Sequence, residues 1–157
     1  MKPRELAYKV LYDVIGKKAY INISFSKYLQ QEKIKEVDAA FVKELVYGVI
    51  ERKYTLDFIL SFFVKRLPDT RVLLLLEMGL YQILYLDRVP DYAAINETVE
   101  VAKKFVDEKV ANFLNAVLRS YLREREKVKF PDKKDLRHYL KVTYSYPDWI
   151  ILSLIHI

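Results

Sequence analysis

Fifteen residues in the middle of the chain, Val72 to Leu86, read VLLLLEMGLYQILYL, and only Glu77, Gly79 and Gln82 among them are not apolar. A surface helix carries one apolar stripe, whereas a helix that is apolar nearly all round is buried. The stretch therefore predicts the central helix of an all-α bundle, scaffold rather than site, with Leu76, Leu80 and Ile83 buried. A membrane-spanning helix needs about 20 mostly apolar residues. The longest unbroken apolar run here is Val72–Leu76, so no membrane role is expected.

The other helical patterns each have one apolar face that needs something to pack on. Pro3 sits where helices start, and Leu6, Ala7, Val10, Leu11 and Val14 follow helical spacing until Gly16. A short second helix, capped by Asn22 or Ser24, is expected to end near Gln31. Asp38 opens a third, striped by Phe41, Leu45, Val46 and Val49. Gly48 inside it costs roughly 1 kcal/mol relative to Ala, which predicts close approach of another helix, the central one. Phe58, Ile59, Phe62 and Phe63 mark a fourth. After the central helix, Ile95, Val99, Ala102 and Val106 form one stripe, and Phe113, Leu114, Val117, Leu118, Tyr121 and Leu122 form the next. This gives about seven helices with connections of ordinary length for a bundle, complete near residue 126. The stretch 127–151 has weaker periodicity and reads as a basic linker leading into something else.

The chemistry these residues carry by themselves is slight. There is no cysteine, which excludes a disulfide framework, a thiolate metal site and a cysteine nucleophile. Gly16, Gly48 and Gly79 stand too far apart for a phosphate-cradling loop. His138 and His156 have no ligand-spaced partners, so no metal is expected. Most carboxylates stand beside Lys or Arg, as on solvated helix faces. By elimination the chain reads as a binding module.

Net charge is +6, which favours a polyanionic partner. The segment from Arg119 to Lys141 holds nine Lys or Arg against four Asp or Glu, nearly the whole excess. The expected binding surface therefore has two parts: Lys2, Arg4, Lys9, Lys17 and Lys18 around the first helix, and Arg119, Arg123, Arg125 and Lys127 behind the last. Tyr8, Tyr12, Tyr20, Tyr121, Phe130 and Tyr139 are interleaved with them. Taken singly, each is an ordinary core aromatic or solvated cation. As a patch they favour RNA, whose unpaired bases stack on aromatics while its phosphates meet cations.

Several motifs in order carry a resemblance. They are Phe41-Val42-Lys43-Glu44-Leu45-Val46-Tyr47-Gly48-Val49, Gly79-Leu80-Tyr81-Gln82, Arg88-Val89-Pro90, Ala94-Ile95-Asn96-Glu97-Thr98-Val99-Glu100 and Asn115-Ala116-Val117-Leu118-Arg119. Together they resemble the NusB-like fold, an all-helical RNA-binding domain. It occurs as the free antitermination factor NusB and as the N-terminal domain of the 16S rRNA cytosine-C5 methyltransferases known as RsmB, Sun or Fmu. The Leu118-Arg119 ending, and Ser145-Tyr146-Pro147-Asp148-Trp149, similar to the Ser-x-Pro-x-Trp entry to a methyltransferase part, favour the second branch. Ala39 and Glu77 depart from positions where that family commonly carries arginine.

The resemblance implies an RNA-positioning domain, with 16S rRNA or a small-subunit precursor as partner, in the cytoplasm. The family's catalytic half binds S-adenosylmethionine on a Rossmann-like sheet and uses two cysteines, none of which this chain contains. No cofactor is expected here, and the chain alone is expected to be catalytically silent. The alternative it leaves open is a free antitermination factor that binds leader RNA together with a small ribosomal protein. A third class is a helical protein-interaction module without RNA. The last six residues, 152–157, do not fit the family and are expected to be a non-native tail.

Overall fold

The computed structural model describes residues 1–155, and among them every regular element is helical. In order these are α1 (Pro3–Leu11), α2 (Ile21–Glu32), α3 (Glu36–Glu51), α4 (Lys53–Leu60), α5 (Thr70–Tyr85), α6 (Asp91–Phe105), α7 (Glu108–Arg123), α8 (Leu136–Tyr144) and α9 (Asp148–Ile155). A π-helical turn, Tyr12–Gly16, extends α1, and a 3-10 turn, Arg125–Lys127, follows α7.

The apolar stretch of the sequence is α5, and it lies against α1, α3, α4, α6 and α7. Asp69 caps it by accepting a hydrogen bond from the Val72 amide at 3.2 Å, which satisfies one of the free donors of the first turn. Leu74, Leu75, Leu76, Met78 and Leu80 are buried to the last few square ångströms. Ile83 is only half-buried, because the end of α5 emerges from the bundle toward Tyr85. The two glycines of the pattern mark close approaches. A Cβ on Gly48 would run into the Tyr81 ring of α5, and one on Gly79 would run into Leu118 of α7.

Two further features depart from expectation. Phe113 is exposed, at 41%, because the buried stripe of α7 runs through Leu114, Val117, Leu118 and Tyr121 and leaves residue 113 a third of a turn outside. The stretch read as a linker carries two helices. Asp135 caps α8 at its start, and α8 docks on α4, where Thr55 Oγ1 donates to the Val142 carbonyl and the Tyr54 amide donates to Ser145 Oγ at 3.1 Å. Ile151 of α9 is buried while Trp149 is exposed. Of the expected tail, His156 and Ile157 lie outside the described residues.

Candidate nucleic-acid interface

α1 runs antiparallel to α5. Arg4 meets Gln82 near the end of α5, and Tyr8 stands close to Asp69 and Arg71 at its start. The cations of the first helix therefore spread along the bundle. Lys2 is exposed at the beginning of α1, and its amide donates to Glu5 Oε2. Arg4 turns inward: its Nε donates to Gln82 Oε1 at 2.6 Å and its guanidinium lies 5.0 Å from the centre of the Phe41 ring. Burial draws the Arg4 guanidinium below its ordinary range, and Glu97 partly offsets this. Gln82 in turn donates to Thr98 Oγ1 and the Met78 carbonyl, so Arg4 completes a buried polar chain from α1 through α5 to α6. Lys9 is half-buried with its ammonium 4.2 Å from the Phe105 ring. Lys17 and Lys18 are exposed beyond the π-turn, at the other end of α1, with Lys17 3.9 Å from Asp13.

The second group is compact. Arg119 Nε donates to Asn115 Oδ1 at 2.9 Å, and its Nη2 donates to Asn96 Oδ1 of α6 at 3.2 Å. One turn on, Arg123 is exposed and donates to Ser120 Oγ. Arg125 pairs with Asp91 at 3.3 Å and lies 5.3 Å from the Tyr121 ring centre. Lys127 pairs with Glu124, and the cations also complement the C-terminal end of the α7 dipole. The structure thus brings Arg119, Arg123, Arg125 and Lys127 together beside the start of α6. Arg4 and Glu97 of α6 line one cavity, and the Glu97 charge acts on the Arg4 guanidinium. Lys17 and Lys18 are not part of this group.

Of the interleaved aromatics, Tyr8 and Tyr121 are core, whereas Tyr20 and Phe130 are exposed. α8 carries Tyr139 to the same end of the bundle as Tyr85, Tyr121 and Arg125, where they line an open cavity of about 460 Å³ with Phe130. Sequence reasoning had no place for this cavity, because α8 was read as linker. The signal was there in Asp135 followed by Leu136, Tyr139, Leu140 and Val142 at helical spacing.

Two carboxylates also depart from the solvated-face expectation. Glu5 is buried and accepts from Lys104 Nζ at 3.0 Å. Burial would raise its pKa, but the hydrogen bonds from the Lys2 amide and Lys104 outweigh it, and the carboxyl lies below its ordinary value. Glu77 is fully buried in α5. Its Oε2 accepts from Lys53 Nζ at 2.7 Å, and the same ammonium is 3.4 Å from Asp57. Burial, reinforced by Asp57, pushes Glu77 well above the usual carboxylate range against the pull of Lys53. Among the described residues no group of three or more His, Asp or Glu is arranged to hold a metal ion.

The model of the NusB family matches residues 1–123. The chain belongs to the NusB family. Its relatives fall in both branches of that family. A probable ribosomal RNA small subunit methyltransferase B of Synechocystis is 34% identical over 154 residues, covering 94% of this chain and 34% of the relative. The Bacillus subtilis protein of the same description is 33% identical over 150 residues, again with 94% of this chain but 33% of its own length. This chain thus spans about a third of those methyltransferases. The transcription antitermination protein NusB of Ruminiclostridium cellulolyticum is 33% identical over 120 residues, 73% of this chain and 82% of that protein. Among solved structures, the fold matches a chain from the complex of antitermination factors NusB and NusE with double-stranded RNA (TM-score 0.69, 23% identity, 77% of this chain and 93% of that one). It also matches a chain from the crystal structure of a plectonemic RNA supercoil (TM-score 0.71, 22% identity, 82% of this chain and 100% of that one).

Proposed function

We propose that this NusB-family chain is the RNA-binding, N-terminal part of a 16S rRNA cytosine-C5 methyltransferase. It holds small-subunit rRNA so that a catalytic domain outside this chain can reach its base. The observation that carries this reading is coverage. The methyltransferase relatives align over 94% of the chain, through α8 and beyond the 1–123 match, whereas the NusB relative aligns over 73%. A base must leave its stack before it is methylated, so a domain that positions the strand has work to do. The chemistry of transfer, with S-adenosylmethionine as methyl donor, belongs to the missing domain, and the chain alone is inactive. Such a protein works in the cytoplasm.

The contact surface in this reading centres on the α7 end: Arg119, Arg123, Arg125 and Lys127. Lys2 at the start of α1, and Lys17 and Lys18 beyond its other end, form separate contacts in this reading. Arg4 and Lys9, held against Gln82 and Phe105, support the surface rather than grip phosphate. The test is binding of the chain to a hairpin from small-subunit rRNA. Replacing Arg119 and Arg123 by Glu is expected to weaken it with the helical fold intact by circular dichroism. Unchanged affinity rejects this surface.

The antitermination reading is favoured by one observation, the alignment over 82% of a free NusB. Reading the gene beyond codon 151 separates the two. A downstream domain with two cysteines and a cofactor-binding sheet supports the methyltransferase, and an immediate stop codon supports the free factor.

A further inference from the structure

A cavity opens at the α8 end of the bundle, between α4, the last turn of α5, the end of α7 and α8, lined by Ile59, Tyr85, Tyr121, Phe130 and Tyr139 among others. Its volume of about 460 Å³ falls within the roughly 300–1,000 Å³ of ordinary ligand sites. Phe130, on the chain between the 3-10 turn and α8, remains 47% exposed beside it, and Tyr85 is exposed as well. Aromatic surface left in water is unfavourable unless something covers it.

Charge says what that something is. Arg125 forms part of the wall. The Arg52 guanidinium lies 5.2 Å from the Tyr85 ring centre, and Arg125 lies 5.3 Å from that of Tyr121. Arg123, Lys127 and Lys129 follow one another on the same segment, while Asp91 and Glu124 offset part of the charge through their pairs with Arg125 and Lys127. An apolar peptide would gain from the rings but nothing from the cations. A polyanion with aromatic bases uses both: rings stack bases of any identity, and cations take the flanking phosphates.

We propose that this cavity receives one unpaired base of an RNA strand, stacked against Phe130 and Tyr85, with the adjoining phosphates on Arg125 and Lys127. This inference rests on the RNA-binding reading and adds a discriminating element to it. The domain then prefers single-stranded or looped RNA to a closed duplex, because a paired base cannot enter.

The test uses the whole chain, a short single-stranded RNA, the same sequence as a closed duplex, and cytidine monophosphate. Phe130 is 47% exposed and its ring meets that of Phe58 at 5.6 Å, so circular dichroism and thermal unfolding check that Phe130→Ala keeps the fold. The substitution is expected to weaken single-strand binding about tenfold, the scale of losing one base–aromatic stack, and to leave duplex binding unchanged. In the unaltered chain, the methyl resonances of Ile59 and Leu84 shift when the strand is added. If Phe130→Ala changes nothing and those methyls stay still while Arg123→Glu weakens both RNAs, the cavity assignment is wrong and the RNA reading stands. If neither RNA binds, both fall. If cytidine monophosphate moves the methyls at the same concentration as the strand, the occupant is a free nucleotide and the assignment to an RNA strand is overturned.

Discussion

Glu77 is the residue least at home in its surroundings. One ammonium, Lys53, faces two carboxyls, and Glu77 Oε1 and Asp57 Oδ1 are buried without a donor from any other group. A proton on Glu77, donated in a hydrogen bond to Asp57, satisfies both oxygens and neutralises the cluster. The folded chain thus keeps a proton at pH values where the unfolded chain has already released it. A raised folded pKa means stability that is full below the unfolded pKa and is lost as pH rises through the folded one. Glu77→Gln is therefore expected to be more stable than the parent at pH 7, on the order of 1 kcal/mol, because an amide donates to Asp57 without a proton. The gap should close toward pH 4.5, and urea unfolding at several pH values measures it. A gap that does not depend on pH refutes the proton on Glu77. Lys53→Met has the opposite sign. It leaves a buried and a half-buried acid without a cation and is expected to cost about 2–3 kcal/mol at pH 7, with part of the loss recovered on acidification. None of this was legible in the sequence beyond the oddity of a Glu in an apolar helix. Lys53 and Asp57 stand one turn apart on α4, the spacing of an ordinary solvated ion pair.

At the scale of elements, α5 and its neighbours were legible because their signals are local and redundant. Gly48 is the clearest case. A glycine in mid-helix needs a reason, and the reason is the Tyr81 ring. Gly48→Ala gains helix propensity of roughly 1 kcal/mol, yet it drives a methyl into a ring that Tyr85 packs at 5.0 Å. Overpacking of this kind costs about 1–3 kcal/mol, so net destabilisation is expected in thermal unfolding. Trimming Tyr81 to Leu in the same chain should reverse it, and additive losses instead would show that the glycine serves another purpose. Helix α8 was only weakly legible. Leu136, Tyr139, Leu140 and Val142 keep helical spacing, but Arg137, His138 and Lys141 stand among them, and what docks the helix is tertiary, the Thr55 hydroxyl reaching the Val142 carbonyl. Thr55→Val keeps the shape and removes the donor, leaving a buried carbonyl short of a partner at a cost of about 1–2 kcal/mol. The loss should fall on α8 alone. Amide exchange in Leu136–Tyr144 is expected to quicken while α5 and α7 stay protected, and uniform acceleration would mean that α8 folds as one unit with the bundle.

Across the whole molecule the decisive property is where the charge sits. The sequence located it correctly along the chain but not in space, since net charge per segment carries no direction. Folding separates Lys17 and Lys18 from the α7 end and turns Arg4 and Lys9 against the bundle. It leaves Arg123, Lys129, Lys133, Lys134 and Arg137 without an ion pair among the described residues, while Arg125, Lys127 and Lys141 have close acidic partners. Binding through such a surface is governed by counterion release, so affinity falls as a power of salt concentration with an exponent of about 0.7 per phosphate on a single strand. Three phosphates held at the α7 end give a slope of about −2 in log affinity against log salt. Arg123→Glu is expected to flatten that slope by roughly one contact's worth and to weaken all sequences alike. Phe130→Ala, which removes a stacking partner and no charge, should lower affinity for single strands at every salt concentration and leave the slope as it was. Anisotropy titrations across a range of salt concentrations read both. Parallel lines for Arg123→Glu and the parent would mean that the arginine touches no phosphate, and a changed slope for Phe130→Ala would mean that its effect travels through the cations rather than the base.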